Sequence, residues 1–375
     1  MDPLRLANTA LAIDIFKKLS EQHKSDNVIF SPLCLSSSLA LAYKGAKCDT
    51  ATQMEKVLHF EKVKEVDIGF QAIASDISKI SSLYSMNLMK RVYVDKTLNL
   101  LTDFVNSSKK PYPSELETVD FKSQPEETRQ QINNSVKELT DGKIENMLEK
   151  GSVSEQTNIL LLNAASFSGK WMTKFSESET KEAPFRISKT ESKPVQMMNV
   201  EARLCLGYIN ELQTMVLEIP YCGKNMSLII LLPKDIMDDS TGLEQLEKEL
   251  SLEKYVHWTN PSVMASTIVK ASIPKFELKE SYDLKPTLIS LGMSNAFNEE
   301  VADFSGMSES KGIALSSVLH KACIEVKEDG AMEAECTRSR ILMHKDEFTA
   351  NHPFIYMLRH NTTRNIIMCG KFCSP

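Results

Sequence analysis

Residues 327–353, KEDGAMEAECTRSRILMHKDEFTANHP, separate one apolar segment, LSSVLHKACIEV at 315–326, from another, FIYMLRH at 354–360. The intervening stretch carries Glu328, Asp329, Glu333, Glu335, Arg338, Arg340, Lys345, Asp346 and Glu347 and has no sustained helical or strand period. It reads as an exposed loop. Loops of this length inside a compact domain are uncommon and usually functional or disordered, so contact residues are expected here first.

Outward from the loop, the chain offers no place to divide it. Its 375 residues hold no Gly/Ser- or Pro-rich linker, internal repeat or low-complexity tract, and a single domain over residues 1–375 is expected. Apolar residues at 42% and charged residues at 25% are those of an ordinary soluble globule. A net charge of −6 argues against polyanion binding by bulk attraction, so nucleic acid is not expected as a partner. Lys90, Arg91, Lys109 and Lys110 form a candidate basic patch that would suit a glycosaminoglycan or collagen, with a solvated face as the plainer reading. No run approaches the roughly 20 apolar residues that cross a bilayer, and no membrane insertion is expected. At the N-terminus Leu4, Ala7, Leu11 and Ile15 recur at helical spacing while Asp14 interrupts the apolar run, which describes an amphipathic helix rather than a secretory signal.

The eight cysteines form neither a CxxC metal pair nor a small disulfide framework and read mostly as buried thiols. Cys369 and Cys373 lie four apart without a second ligand cluster, and Cys336 sits in the loop, where an exposed thiol can oxidise. GxSxG, HExxH, Walker-type and dinucleotide glycine motifs are absent. No catalytic residue, metal site or cofactor is therefore expected, and the chain is not read as an enzyme.

Local patterns place the remaining elements. NVIF at 27–30 is strand-like and stops at Ser31-Pro32; Leu33, Leu35, Leu39 and Leu41 then mark a helix with proline in its first turn. Asp49-Thr50 sets up a second helix ending near Leu58. Leu88, Val92 and Val94 alternate with polar residues as in a half-buried strand. In QQINNSVKELTDGKIENML, at 130–148, Ile132, Val136 and Leu139 share a helical face and Gly142 is a terminator. Ile159–Leu162 is a continuous apolar run suited to a strand buried on both faces, and His320 reads as a structural histidine on a buried strand.

Separated motifs then recur in a fixed order. Asn163, Phe167, Gly169, Trp171 and Phe175 in NAASFSGKWMTKF are followed by Thr180, Phe185 and VQMM, by LEIPYCGKNMSLIILLP (217–233), by SIPKFELKESYDLKPTLISLGM (272–293), and by Phe297 and ADFSGM (302–307). With the flanks VLHKACIEVKEDG and NHPFIYMLRHNTTRNIIMCGKFCSP, they resemble the serpin family along nearly the whole chain. Ser166 departs from the Tyr usual there. The start MDPLRLANTALAIDIFKKL and the ending FCSP resemble the ovalbumin-like intracellular branch. Within that branch TDGKIENML (140–148), SESETKEAPFR (176–186), KPVQMMN (193–199) and STGLE (240–244) resemble a non-inhibitory, growth-restraining member.

The resemblance implies an α+β fold, helices packed around three β-sheets, with a reactive-centre loop at about 330–352. It also implies a monomer made in the cytoplasm that reaches the outside by an unconventional route. In inhibitory relatives the cut loop enters the central sheet as an extra strand. The corresponding hinge here is Glu328, Asp329, Gly330, Ala331, Glu333 and Glu335. Because side chains alternate along a strand, Ala331, Glu333, Glu335 and Thr337 would face inward, and burying two carboxylates would cost several kcal/mol each. Cleavage at Arg340 would leave an insertable strand of only about 10 residues, near 33 Å. The resemblance therefore implies a non-inhibitory protein that restrains growth, invasion and migration of epithelial cells through contacts with cell-surface or matrix proteins, centred on Arg338, Arg340, Ile341 and Leu342. The alternative is an inhibitor of trypsin-like serine proteases cleaved after Arg340.

Overall fold

A computed structural model describes residues 2–80, 84–112, 115–332 and 345–375. Its helices are α1 Pro3–Gln22, α2 Pro32–Gly45, α3 Cys48–Val57, α4 Val66–Ile80, α5 Thr102–Ser108, α6 Pro125–Leu139, α7 Glu244–Glu249, α8 Leu252–Trp258 and α9 Lys285–Ser290. The strands of the first half are β1 Val28–Phe30, β2 Tyr84–Asp95, β3 Leu116–Val119, β4 Ile159–Gly169, β5 Trp171–Thr173, β6 Lys181–Arg186, β7 Ser192–Ile209 and β8 Thr214–Pro220. Those of the second half are β9 Met226–Pro233, β10 Ala265–Pro274, β11 Phe276–Asp283, β12 Leu315–Val326, β13 Gly330–Met332, β14 Asp346–Thr349, β15 Phe354–His360 and β16 Ile366–Phe372.

The mixed α+β class is as expected, and among the described residues the strands form three sheets. One runs β1-β16-β15-β9-β8-β7-β10-β14 with β6 also on β7, one runs β11-β12-β4-β2-β3, and a two-stranded ribbon joins β13 to β5. Ser31 caps α2 through its side chain with Pro32 in the first turn, where the missing N–H costs nothing. β4 is buried along both faces, which explains its unbroken apolar run. The main core stretches from Leu4 to Cys373, and a smaller cluster packs Ile132 and Val136 of α6 under Tyr93, Leu160 and Leu162.

Several expectations need correcting. α6 starts five residues before the predicted segment, at Pro125 with Glu126 and Glu127 in its first turn, and ends at Leu139. Leu139 is 42% exposed, so it does not share the buried face of Ile132 and Val136. Gly142, at φ 74°, sits in the left-handed region just beyond. The stretch 327–353 is not a continuous loop, because β13 and β14 lie within it, and Phe348, His352 and Glu328 are buried. These short strands are specified by backbone pairing, which leaves no periodic signature.

His320 of β12 is fully buried, and its Nε2 accepts a hydrogen bond from the Ser31 amide at 2.9 Å. Burial pushes its pKa down to about 3. A histidine depressed in the folded state is protonated preferentially in the unfolded chain, so its contribution is intact above about pH 6.5 and erodes as pH falls toward 3. Between pH 6.5 and 5 this costs about 2 kcal/mol. Urea unfolding at pH 7 and 5 is expected to show a smaller acid loss for His320→Gln than for the parent; equal losses would contradict the assignment.

Candidate functional site: the hinge and the central seam

Strand β12 runs directly alongside β4 in parallel register, from Leu315 opposite Ile159 to Glu325 opposite Ser168. Ser168 Oγ donates to Glu325 Oε2 at 2.7 Å, and the Asn158 amide donates to Ser316 Oγ at 2.9 Å, so both ends of the seam are fastened by side chains. Between them, Leu161, Ala165 and Phe167 of β4 and Val318, Ala322 and Ile324 of β12 join the main core. A strand placed here would send its inward side chains into apolar surroundings.

Beyond β12 the chain is gripped residue by residue. The Trp171 indole N–H donates to the Lys327 carbonyl at 2.7 Å. The Phe175 amide donates to the Glu328 carbonyl at 3.2 Å and the Trp171 amide to the Asp329 carbonyl at 2.8 Å. Trp171, 1% exposed, stacks on Tyr221 with centroids 4.1 Å apart, so the donor is itself immobilised. Lys327 Nζ lies 3.1 Å from Glu325 and 3.5 Å from Asp329. Buried Glu328 takes an ion pair from Lys275 at 3.0 Å and a hydrogen bond from Thr180 at 3.1 Å. Burial works to raise the Glu328 pKa, but these donors outweigh it and the carboxyl titrates below its ordinary value.

Gly330 follows, opposite Trp171 in the parallel β13–β5 ribbon. A Cβ there would stand 2.3 Å from Lys174 Cα and 2.6 Å from Lys174 N, backbone atoms that cannot yield. Only glycine lets the hinge lie this close to β5. On the far side, β14 pairs in parallel with β10, Lys345 Nζ lies 2.8 Å from Glu201, and His352 Nε2 lies 2.6 Å from the Pro233 carbonyl oxygen.

Of the candidate residues, Glu328, Asp329 and Gly330 are thus brought together at the mouth of the seam, with Ala331 in β13. Glu333, Glu335, Cys336, Arg338, Arg340, Ile341 and Leu342 lie outside the described residues. The four basic residues do not stand as one open patch. Lys90 is paired with Glu115 at 2.6 Å, with side chains 18% and 6% exposed, and Arg91 with Glu117 at 2.8 Å, with 14% exposure for the arginine; Lys109 and Lys110 are exposed. Trp171, Thr180, Lys174 and Lys275 were not read as hinge contacts from sequence. Trp171 and Thr180 stood in recognised motifs, but nothing local tied any of the four to Glu328 or Gly330.

Residues 6–375 match the family profile described as Serpin (serine protease inhibitor). Serpin B5 of Xenopus tropicalis is 62% identical over 375 residues, covering 100% of this chain and 99% of the relative. A crystal structure of maspin superposes with a TM-score of 0.97 at 57% identity, covering 100% of this chain and 99% of that one. A structure described as "a tumour suppressing serpin" superposes with a TM-score of 0.94 at 56% identity and covers both chains completely.

Proposed function

Since the chain belongs to the serpin family, we propose that it works as a maspin-like, non-inhibitory member that restrains growth, invasion and migration of epithelial cells through protein contacts, and is neither an enzyme nor a protease trap. The observation that carries this is the apolar lining of the β4–β12 seam, set against a sequence in which Glu333 and Glu335 follow Gly330 and, by strand alternation, would face inward on insertion. An inserted strand would carry two carboxylates into that lining at several kcal/mol each. Relatives bearing the names maspin and tumour suppressing serpin support the reading.

The contact surface is assigned to Arg338, Arg340, Ile341 and Leu342, with cell-surface or matrix proteins as partners and a serine protease as a substrate-like one. The chain acts as one domain and a monomer, both cytoplasmic and extracellular. Among the described residues no helix is long and apolar enough to cross a membrane. Incubated with a trypsin-like protease, the chain is expected to be cut and to release active enzyme; a covalent complex surviving denaturing electrophoresis would establish the inhibitor alternative. Arg340→Ala is expected to weaken the effect on epithelial cell migration while shifting stability by less than about 0.5 kcal/mol. Undiminished activity would move the contact surface to the body of the molecule.

A further inference from the structure

At the end of the β4–β12 seam opposite the hinge, where α9 and the short turn Asn295–Phe297 meet the start of β12, the surface opens into a cavity of about 340 Å³. That is at the lower end of the roughly 300–1,000 Å³ typical of small-molecule sites. Leu315 and Ala314, 1% and 2% exposed, and the Phe297 ring, 9% exposed, supply its apolar part. Of its lining residues only Lys285 and Glu299 are charged.

The two charges share the cavity without forming an ion pair, because each is held by a neutral partner. Lys285 Nζ donates to the Ser316 carbonyl at 3.3 Å and lies 5.7 Å from the centre of the Phe297 ring. Glu299 Oε1 accepts from the Asn158 side-chain amide at 3.1 Å. Asn158 is itself fixed: it is 8% exposed, and its backbone amide donates to Ser316 Oγ. The β12–β4 register slips between Leu315 and Ser317, and the residue left over at such a slip keeps its backbone groups free of the ladder. Ser316 is that residue, which is why its carbonyl serves Lys285.

These contacts leave bonding capacity unspent. An ammonium carries three donors, and the Ser316 carbonyl takes one of them; among the described residues no hydrogen bond reaches Glu299 Oε2. The cavity is thus neutral in sum but divided into a cationic and an anionic part beside an apolar floor. We infer that it binds a free α-amino acid with an apolar side chain. The ligand's carboxylate takes the open donors of Lys285, its ammonium takes Glu299 Oε2, and its side chain lies against Phe297 and Leu315. A ligand of a single charge would satisfy one group and be repelled by the other, whereas a zwitterion pairs with both through charge-assisted hydrogen bonds.

The test titrates the full chain with L-phenylalanine by calorimetry, beside N-acetylphenylalanine, which lacks the ammonium, and phenylalaninamide, which lacks the carboxylate. One saturable site is expected for phenylalanine with Kd below about 1 mM, and each comparison compound is expected to bind at least about tenfold more weakly. Lys285→Gln is expected to weaken phenylalanine at least about tenfold and to leave phenylalaninamide unchanged. Glu299→Gln keeps an acceptor for Asn158 and serves should Lys285→Gln fail to fold; it is expected to weaken phenylalanine and to leave N-acetylphenylalanine unchanged. Absence of saturation by phenylalanine up to about 10 mM, equal binding of the three compounds, or binding that both variants leave untouched overturns the site.

Discussion

Glu115→Ala is expected to lower the unfolding free energy by about 3–5 kcal/mol, because it removes one partner of a buried ion pair and leaves the other uncompensated. Lys90 Nζ and Glu115 Oε1 are 2.6 Å apart with side chains 18% and 6% exposed. Lys90 also donates to Ser37 of α2 at 3.1 Å, so the pair joins β2 to the helix behind it. Burial raises the Glu115 pKa; Lys90 opposes that without cancelling it. Desolvation therefore consumes much of the Coulombic gain, and Lys90→Met combined with Glu115→Leu is expected to recover most of the single-variant loss. Urea unfolding of the parent, Glu115→Ala and the double variant provides the check. A loss under about 1 kcal/mol for Glu115→Ala would put the pair among ordinary surface bridges and contradict the account.

The second large effect is at the hinge. Gly330→Ala is expected to speed hydrogen exchange at the Trp171 and Phe175 amides by about 100-fold, the equivalent of about 3 kcal/mol of overpacking. Those amides donate to the carbonyls of Asp329 and Glu328. A methyl 2.3 Å from Lys174 Cα cannot be relieved by a side-chain rotation, so β13 must leave β5. Unchanged exchange would mean that the hinge is not seated against β5, and the description of the seam's mouth would fail with it.

What the sequence revealed of this structure followed local signals. Ser31-Pro32 marked the start of α2 because a capping hydroxyl and an N1 proline act within one turn, and Ile159–Leu162 read as doubly buried because all four of its residues are apolar. The three-residue strands β5 and β13 were illegible, since their existence rests on backbone pairing between Trp171 and Gly330. Glu328 looked like one more loop carboxylate, yet it is buried because Lys275 and Thr180, distant in sequence, arrive beside it. Lys90 and Arg91 suggested an open basic patch for the opposite reason: Glu115 and Glu117 reach them by the pairing of β2 with β3, which no count of charges discloses. Alternation alone assigns Glu333 and Glu335 to the inward face of an inserted strand, and the resistance of the seam to insertion depends on those two carboxylates.

The most direct test is to nick the chain with trypsin between residues 333 and 344 and compare melting with the intact protein. If the β4–β12 seam refuses the hinge carboxylates, the nicked and intact forms melt within about 5 °C of each other. A nicked form that melts far above the intact one would show that the strand has entered the seam with Glu333 and Glu335 inside it, and the non-inhibitory account would lose its physical basis.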